Sequence, residues 1–128
     1  MLSKAHFILY VADQNRARDF YAAALPCQPA LDVPGMTEFP LPGGAVLGLM
    51  PGRGIKNLLG DALPDPARAA GIPRCELYLL SDDPVAALAR ALAAGARPLD
   101  GVRPRDWGHE AGYCLDPDGH VLAFARAL

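Results

Sequence analysis

The stretch that decides the fold is HFILYVAD at residues 6–13, because a matching pattern returns as ELYLLSDD at residues 76–83. Each copy opens on a polar residue, continues as an apolar run of strand length, and has an aspartate seven positions after the polar residue. An alanine-rich pattern of helical spacing follows each aspartate. A repeat of this kind indicates two copies of one small structural unit, with His6 and Glu76 at equivalent positions.

Both copies have the composition of β-strands, since they combine aromatic, β-branched and aliphatic residues. Successive side chains of a strand point to opposite faces of the sheet. In the first copy His6 and Tyr10 therefore share a face, and in the second Glu76 and Tyr78 share a face. Asp13 is a suitable N-cap for the helix that follows the first strand, as is the aspartate at the same place in the second copy.

Glycine, proline and short apolar runs divide the rest of the chain into further strands. These predicted strands lie at residues 28–33, 37–41 and 45–50 in the first copy and at residues 97–99, 112–115 and 120–125 in the second. The sequence thus predicts an α+β fold with two βαβββ modules in a single domain over residues 1–128. The modules span about residues 1–50 and 75–128.

A linker rich in Gly and Pro, residues 51–74, joins the two modules. It is expected to contain only helical turns, at Asn57–Leu59 and Pro66–Ala70. No Gly-Lys-Ser/Thr sequence follows Gly52-Arg53-Gly54 and we expect no helix to begin there, which argues against a phosphate-binding loop. The segment is interpreted as a flexible connector or a lid.

The composition limits the classes of partner. Hydrophobic residues make up 52% of the chain and charged residues 20%, with a formal net charge of -2. The scattered basic residues argue against nucleic acid as a partner, since phosphate binding normally needs a basic patch. No apolar run approaches the ~20 residues of a membrane span, and the beginning of the chain does not resemble a signal peptide. We expect a cytoplasmic protein.

Cys27, Cys75 and Cys114 are three in number and have no CxxC spacing. This pattern argues against a disulfide framework or a structural zinc site. We expect all three to be buried or half-buried small apolar residues, while a catalytic thiol remains an alternative for any one of them.

The tail WGHEAGYCLDPDGHVLAF, residues 107–124, resembles the closing hairpin of vicinal-oxygen-chelate proteins. This superfamily includes glyoxalase I, bleomycin-resistance proteins, fosfomycin-resistance enzymes and extradiol dioxygenases. The first strand, with the Phe20-Tyr21 pair of the helix after it, is similar to the beginning of the same fold. The resemblance implies an eight-stranded, U-shaped mixed sheet around a cleft, with the helices outside, and a homodimer.

Metal-using members of that superfamily place two ligands at the starts of the first strands of the two modules and two in the last strands. The resemblance assigns these positions to His6, Glu76, Gly48 and Ala123, and the last two have no donor atom. Catalytic metal sites usually hold three protein ligands. We therefore expect no cofactor and leave open whether the protein is an enzyme; a divalent metal held weakly by His6 and Glu76 is the alternative.

Aromatic residues are the other candidates for the cleft. Trp107, the single tryptophan, lies in a loop that the resemblance places near the cleft mouth, where it either contacts a ligand or packs on the domain edge. Tyr10 and Tyr78 wall the pocket or fill it. Polar groups near Trp107 are expected to be solvated, although the arginines among them are also able to hold a carboxylate or phosphate; these residues are Arg103, Arg105, His109 and Glu110.

The sequence thus predicts a glyoxalase/bleomycin-resistance-like protein that binds a small organic molecule by sequestration, without a metal. The residues predicted to line its aromatic-walled cleft are His6, Tyr10, Glu76, Tyr78 and Trp107. The alternative is a metal-dependent lyase, isomerase or dioxygenase that uses His6 and Glu76. A third hypothesis is a protein–protein module with Trp107 in the interface.

Overall fold

The computed structural model describes residues 1–128 and contains eight β-strands and three α-helices. The strands are β1 His6–Val11, β2 Leu31–Val33, β3 Met36–Pro40, β4 Val46–Pro51, β5 Glu76–Leu80, β6 Arg97–Pro104, β7 His109–Leu115 and β8 Val121–Ala127. The helices are α1 Gln14–Ala24, α2 Gly52–Leu59 and α3 Pro84–Ala93, and single 3₁₀ turns occur at Pro42–Gly44, Gly60–Ala62 and Pro66–Ala69.

The strands form two four-stranded sheets of the same topology, in the orders β1-β4-β3-β2 and β5-β8-β7-β6. β1 pairs with β4 and β5 pairs with β8 in parallel, whereas all other neighbours are antiparallel. His6 pairs with Val46 and Glu76 pairs with Val121, each the first residue of its partner strand. The α+β class and the repeated strand order are confirmed, and the U-shaped arrangement of the sheets stays a prediction.

The chain divides into two compact units, residues 1–22 with 26–70 and residues 23–25 with 71–128. In the first unit α1 begins after Asp13, whose carboxylate accepts a hydrogen bond from the Arg16 amide at 3.0 Å, as an N-cap does. Tyr21 of α1 is fully buried and its ring contacts that of Phe39 on β3, with 6.5 Å between the ring centroids. No helix is long and apolar enough to cross a membrane.

The second unit is packed around the contact between α3 and its sheet. Asp83 caps α3 by accepting from the Ala86 amide at 3.1 Å. A Cβ atom added to Gly112 of β7 would lie 2.8 Å from Cδ2 of Leu88 and 2.7 Å from Cγ2 of Val102. Gly112 therefore faces α3 at a distance that only a glycine permits, and its neighbours in β7 face the other side of the sheet.

Three sequence expectations are wrong. A helix does begin at Gly52, and α2 runs to Leu59 with Lys56 donating hydrogen bonds to the carbonyls of Gly60 and Leu63 beyond its end. β6 is much longer than the predicted strand at residues 97–99. The prediction stopped short because two shifts of register interrupt the alternation of side chains along β6. Cys75 is exposed, whereas Cys27 is half-buried and Cys114 is buried as expected.

Candidate functional site

The face of the second sheet opposite α3 carries aromatic side chains above a row of alanines. Strand register places Tyr78 of β5, Ala123 of β8 and Tyr113 of β7 side by side on this face. Ala111, Ala123 and Ala125 are fully buried. Because an alanine rises only one methyl group above the sheet, this row leaves room for larger side chains from β5 and β7.

The hydroxyl of Tyr78 joins three side chains from different segments. The indole Nε1 of Trp107 donates a hydrogen bond to it at 3.0 Å. The same hydroxyl lies 2.7 Å from Nδ1 of His109, and the planes of the two rings are inclined by 26° with 5.8 Å between their centroids. His109 is half-buried in this contact, so the expectation that it is a solvated residue is wrong.

Trp107 occupies the loop between β6 and β7 and is 52% exposed. Gly108 follows it with φ of +83°, a left-handed conformation that glycine adopts without strain and that lets the loop turn at that point. The Gly108 carbonyl accepts a hydrogen bond from the Leu128 amide at 3.0 Å. The largest aromatic ring of the protein is thus half in solvent while both its loop and its indole nitrogen are held.

The side chain of Arg105 holds the loop that carries Trp107 by hydrogen bonds to both neighbouring strands. Its guanidinium donates twice to the Ala111 carbonyl, at 3.1 and 2.7 Å, and once to the Asp100 carboxylate at 3.0 Å. Its side chain is 13% exposed and lies 5.1 Å from the ring centroid of Tyr113, within range of a cation–π contact. The expected solvation of Arg105 is therefore wrong, and this arginine holds the base of the hairpin that carries Trp107.

Charged side chains in two groups of ion pairs, one around Asp100 and one around Glu110, flank this face and its hairpin. Arg103 also pairs with Asp100, at 2.7 Å, but its side chain stays 64% exposed, as expected for a solvated arginine. The hydrogen bond from Arg105 and the positive charge of both arginines hold the pKa of Asp100 below its usual range. Glu110 is mostly covered and pairs with Arg126, so its expected solvation is wrong.

Glu76 places a negative charge near the aromatic face of the second sheet. It is exposed at the beginning of β5, two residues before Tyr78. Burial raises the pKa of Tyr113, and the negative charge of Glu76 raises it further, while Arg105 opposes both. The Glu76 carboxylate therefore acts on the tyrosine from nearby, and it has no hydrogen-bond or ion-pair partner within the protein.

The first sheet presents a different face. Nδ1 of His6 lies 3.4 Å from a carboxylate oxygen of Glu38 on β3, and Tyr10 lies further along β1 on the same side. Sequence reasoning missed Glu38, although the predicted strand at residues 37–41 contained it. Alternation gives the face of a residue, but the partner across a sheet depends on register, which the sequence did not supply.

Two of the four metal positions that the resemblance implied, Gly48 and Ala123, have no donor atom. A Cβ atom at Gly48 would lie 3.0 Å from a side-chain carbon of Ile8 and 3.2 Å from the sulfur of Met36, so apolar groups already occupy that place. Ala123 is fully buried and ends in a methyl group. No three His, Cys, Asp or Glu side chains lie close enough together to hold a metal ion. The residues present do not fit a catalytic metal centre, which usually needs three protein ligands.

The five residues predicted to line the cleft divide between the units. His6 and Tyr10 belong to the first unit, whereas Glu76, Tyr78 and Trp107 belong to the second. Tyr78 and Trp107 are joined directly by a hydrogen bond. That all five line one cleft stays a prediction.

Comparison with known proteins identifies one protein family. The model of a protein family described as the Glyoxalase/Bleomycin resistance protein/Dioxygenase superfamily matches residues 4–124. The chain is also similar to a glyoxalase-related enzyme from Fulvimarina pelagi, with 22% identity and a TM-score of 0.83 over 98% of this chain and 88% of that one. No curated protein sequence matches.

Two further solved structures share the fold. A glyoxalase/bleomycin resistance protein/dioxygenase family enzyme from Burkholderia phytofirmans PsJN has 16% identity and a TM-score of 0.78 over 97% of this chain and 98% of that one. TioX from Micromonospora sp. ML1 has 20% identity and a TM-score of 0.67 over 98% and 99%. Likeness at these identities shows a common fold and carries no activity across.

Proposed function

This chain belongs to the glyoxalase/bleomycin resistance protein/dioxygenase superfamily, and from that premise we propose that it binds a small organic molecule by sequestration, without a metal ion. The observation that supports this most is Trp107, a half-exposed indole held by the hydroxyl of Tyr78 at 3.0 Å. Sequestration requires only a shaped surface that binds well, so no catalytic group is needed.

A fixed, exposed aromatic ring is suited to stacking on a flat ligand. Tyrosine and tryptophan offer a large apolar face together with a polar atom that keeps the ring in place. Because Trp107 is already tied to Tyr78, less conformational entropy is lost when a ligand packs against it.

Polar anchors accompany the aromatic surface. The Glu76 carboxylate is exposed and has no partner in the protein, so a donor or a cationic group on the ligand would satisfy it. A net charge of -2 for the chain favours the same kind of ligand. His6 and Tyr10 are proposed to contribute from the first sheet, as the superfamily fold implies for the residues of its first strand.

The metal-dependent alternative has less support. Its two residues, His6 and Glu76, belong to different units. No group of three potential ligands that could hold a metal ion occurs, even with the Glu38 carboxylate beside His6. Protein purified without chelator should therefore contain no stoichiometric metal by elemental analysis. Stoichiometric metal that disappears in His6→Ala would overturn the metal-free proposal and favour a lyase, isomerase or dioxygenase.

A screen of small organic molecules by the fluorescence of the single tryptophan tests the main proposal. Compounds that bind should quench Trp107 without a change in oligomeric state, and calorimetry should show weaker binding by Trp107→Ala. A screen without quenching, or quenching that accompanies assembly alone, would contradict the proposal and favour a protein interface at Trp107.

We also propose that the protein is a homodimer, in keeping with the superfamily. Edge strand β1 leaves Phe7 58% exposed, a large apolar side chain that a second copy would cover. Light scattering after size-exclusion chromatography should give a dimer for the wild type and a monomer for Phe7→Glu. A wild-type monomer at micromolar concentration would contradict it.

A further inference from the structure

We propose that His109 presents one hydrogen-bond donor, its Nε2–H, to a flat ligand that carries an acceptor atom such as a ring nitrogen or a carbonyl oxygen. The inference rests on the proposed function, since it names the class of molecule that the aromatic face of the second sheet takes. It assigns a binding role to a residue that the sequence pattern gave no reason to select.

The directions of the hydrogen bonds carry the argument. An indole nitrogen is only a donor, so the Tyr78 oxygen accepts from Trp107 at 3.0 Å. The hydroxyl has one hydrogen of its own, and the other atom within reach is Nδ1 of His109 at 2.7 Å. If Nδ1 carried a proton, the Tyr78 hydrogen would have no acceptor in the protein. The arrangement that uses every proton has Tyr78 donating to a bare Nδ1.

The consequence is a fixed tautomer of His109. A neutral imidazole with a bare Nδ1 carries its proton on Nε2. Nε2 has no hydrogen-bond partner in the protein, and it is not among the buried polar atoms that lack one, so solvent reaches it. The hydrogen bond from Tyr78 to Nδ1, with 26° between the planes of the two rings, holds the direction in which this N–H points.

The neighbourhood of this donor selects the ligand. The half-exposed ring of Trp107 and the ring of His109 are joined through the hydroxyl of Tyr78. A flat ligand that contacts the indole edge and extends past this hydroxyl can bring an acceptor atom on its far edge to Nε2–H. A flat hydrocarbon of the same shape would leave that donor without a partner.

The tautomer can be measured without any ligand. Long-range proton–nitrogen correlation spectra at mildly alkaline pH distinguish the two neutral tautomers of histidine, and His109→Gln assigns the signals. The wild type should show His109 protonated on Nε2, and Tyr78→Phe should shift it toward a mixture. His109 protonated on Nδ1 in the wild type would overturn the inference.

Two probes of equal shape test the ligand class. Quinoline has a ring nitrogen that accepts a hydrogen bond and naphthalene has none. Titrations followed by the Trp107 indole N–H signal should give quinoline an affinity roughly 3- to 10-fold higher, the range expected for one net hydrogen bond. His109→Asn, whose amide reaches only the Nδ1 position, should remove this preference, so that the variant binds quinoline and naphthalene equally. His109→Gln, which places an N–H₂ near the Nε2 position, should keep part of it.

The outcomes separate this inference from the proposed function. Equal binding of the two probes, or a preference that persists in His109→Asn, would overturn the role of His109 and leave a ligand-binding aromatic face. No response of Trp107 to either probe would overturn both. Unchanged chemical-shift dispersion elsewhere in the spectrum establishes that each variant is folded.

Discussion

The two sheets have the same strand order but carry different side chains on their surfaces. On the first, Ile8 and Met36 close over Gly48, and His6 lies beside Glu38. On the second, an alanine floor carries an aromatic group held by directed hydrogen bonds, with Trp107 half in solvent. The repeat therefore preserved the backbone while the side chains diverged, and the hydrogen-bonded aromatic group occurs on one of its two copies.

The largest expected change in stability comes from Cys114, on the core side of the second sheet. Burial raises the pKa of the Cys114 thiol from its ordinary value of 9.0 to about 11. The thiol is protonated in both states below this range, whereas the unfolded thiol ionises first as the pH rises from about 9 toward about 11. Stability should fall across that window by up to about 2–3 kcal/mol. Urea unfolding at several pH values should show it, and Cys114→Ala should lack that part of the slope.

Adding one methyl group to a glycine in each sheet compares their packing. Gly112→Ala should cost about 1–3 kcal/mol of unfolding free energy, because the new Cβ meets Leu88, Val102 and a backbone nitrogen at 2.7–3.0 Å. Gly48→Ala should cost less than about 1 kcal/mol, since its closest contacts are movable side chains. Equal losses in thermal or urea unfolding would show that the two sheets are equally tightly packed.

Replacing each arginine near Asp100 by lysine tests what holds the Trp107 hairpin. Arg105→Lys loses the paired hydrogen bonds to the Ala111 carbonyl and should cost about 1–2 kcal/mol of stability. The anisotropy of Trp107 fluorescence should fall as the loop loosens. Arg103→Lys is the matched control and should change neither quantity, because that side chain is 64% exposed. No loss in either variant would mean that charge alone supports the hairpin, because lysine keeps the charge.

Removing one hydroxyl gives the smallest effect. Tyr78→Phe breaks the links to Trp107 and His109 and should cost about 0.5–1.5 kcal/mol, toward the low end because Trp107 is half exposed. Tyr113→Phe lies in the same row of the sheet and should cost almost nothing, since its hydroxyl has no partner in the protein. Indistinguishable stabilities would remove the basis for calling the second face preorganised.

Local patterns in the sequence predicted much of the fold. Alternation, the aspartate caps and the repeat at residues 6–13 and 76–83 identified the helices after β1 and β5 and most strands. Helix α2 was missed because glycines at its beginning lower helix propensity, while the contacts of Lys56 that tie down its end are not visible in a local pattern. β6 was cut short because its bulges break the period of two.

The candidate site was predicted only in part, because its contacts join residues that are far apart in the sequence. Tyr78 and Trp107 were selected as aromatic residues, yet the bond between them spans 29 positions and that to His109 spans 31. The burial of Arg105 likewise depends on the Ala111 carbonyl across a hairpin. Pattern and composition identify residue types, whereas partners of this kind are set by strand register and loop geometry.

The parallel pairing of β5 with β8 has a consequence for how the chain folds during synthesis. β8 is an interior strand of the second sheet and the last of its four strands along the chain, so β5 and β7 have no strand between them until residues 121–127 leave the ribosome. The first unit is complete once residue 70 has emerged and can collapse well before its counterpart. Because β4 stands in the first sheet where β8 stands in the second, each nascent half exposes open strand edges to chaperones and to mispairing until its last strand emerges.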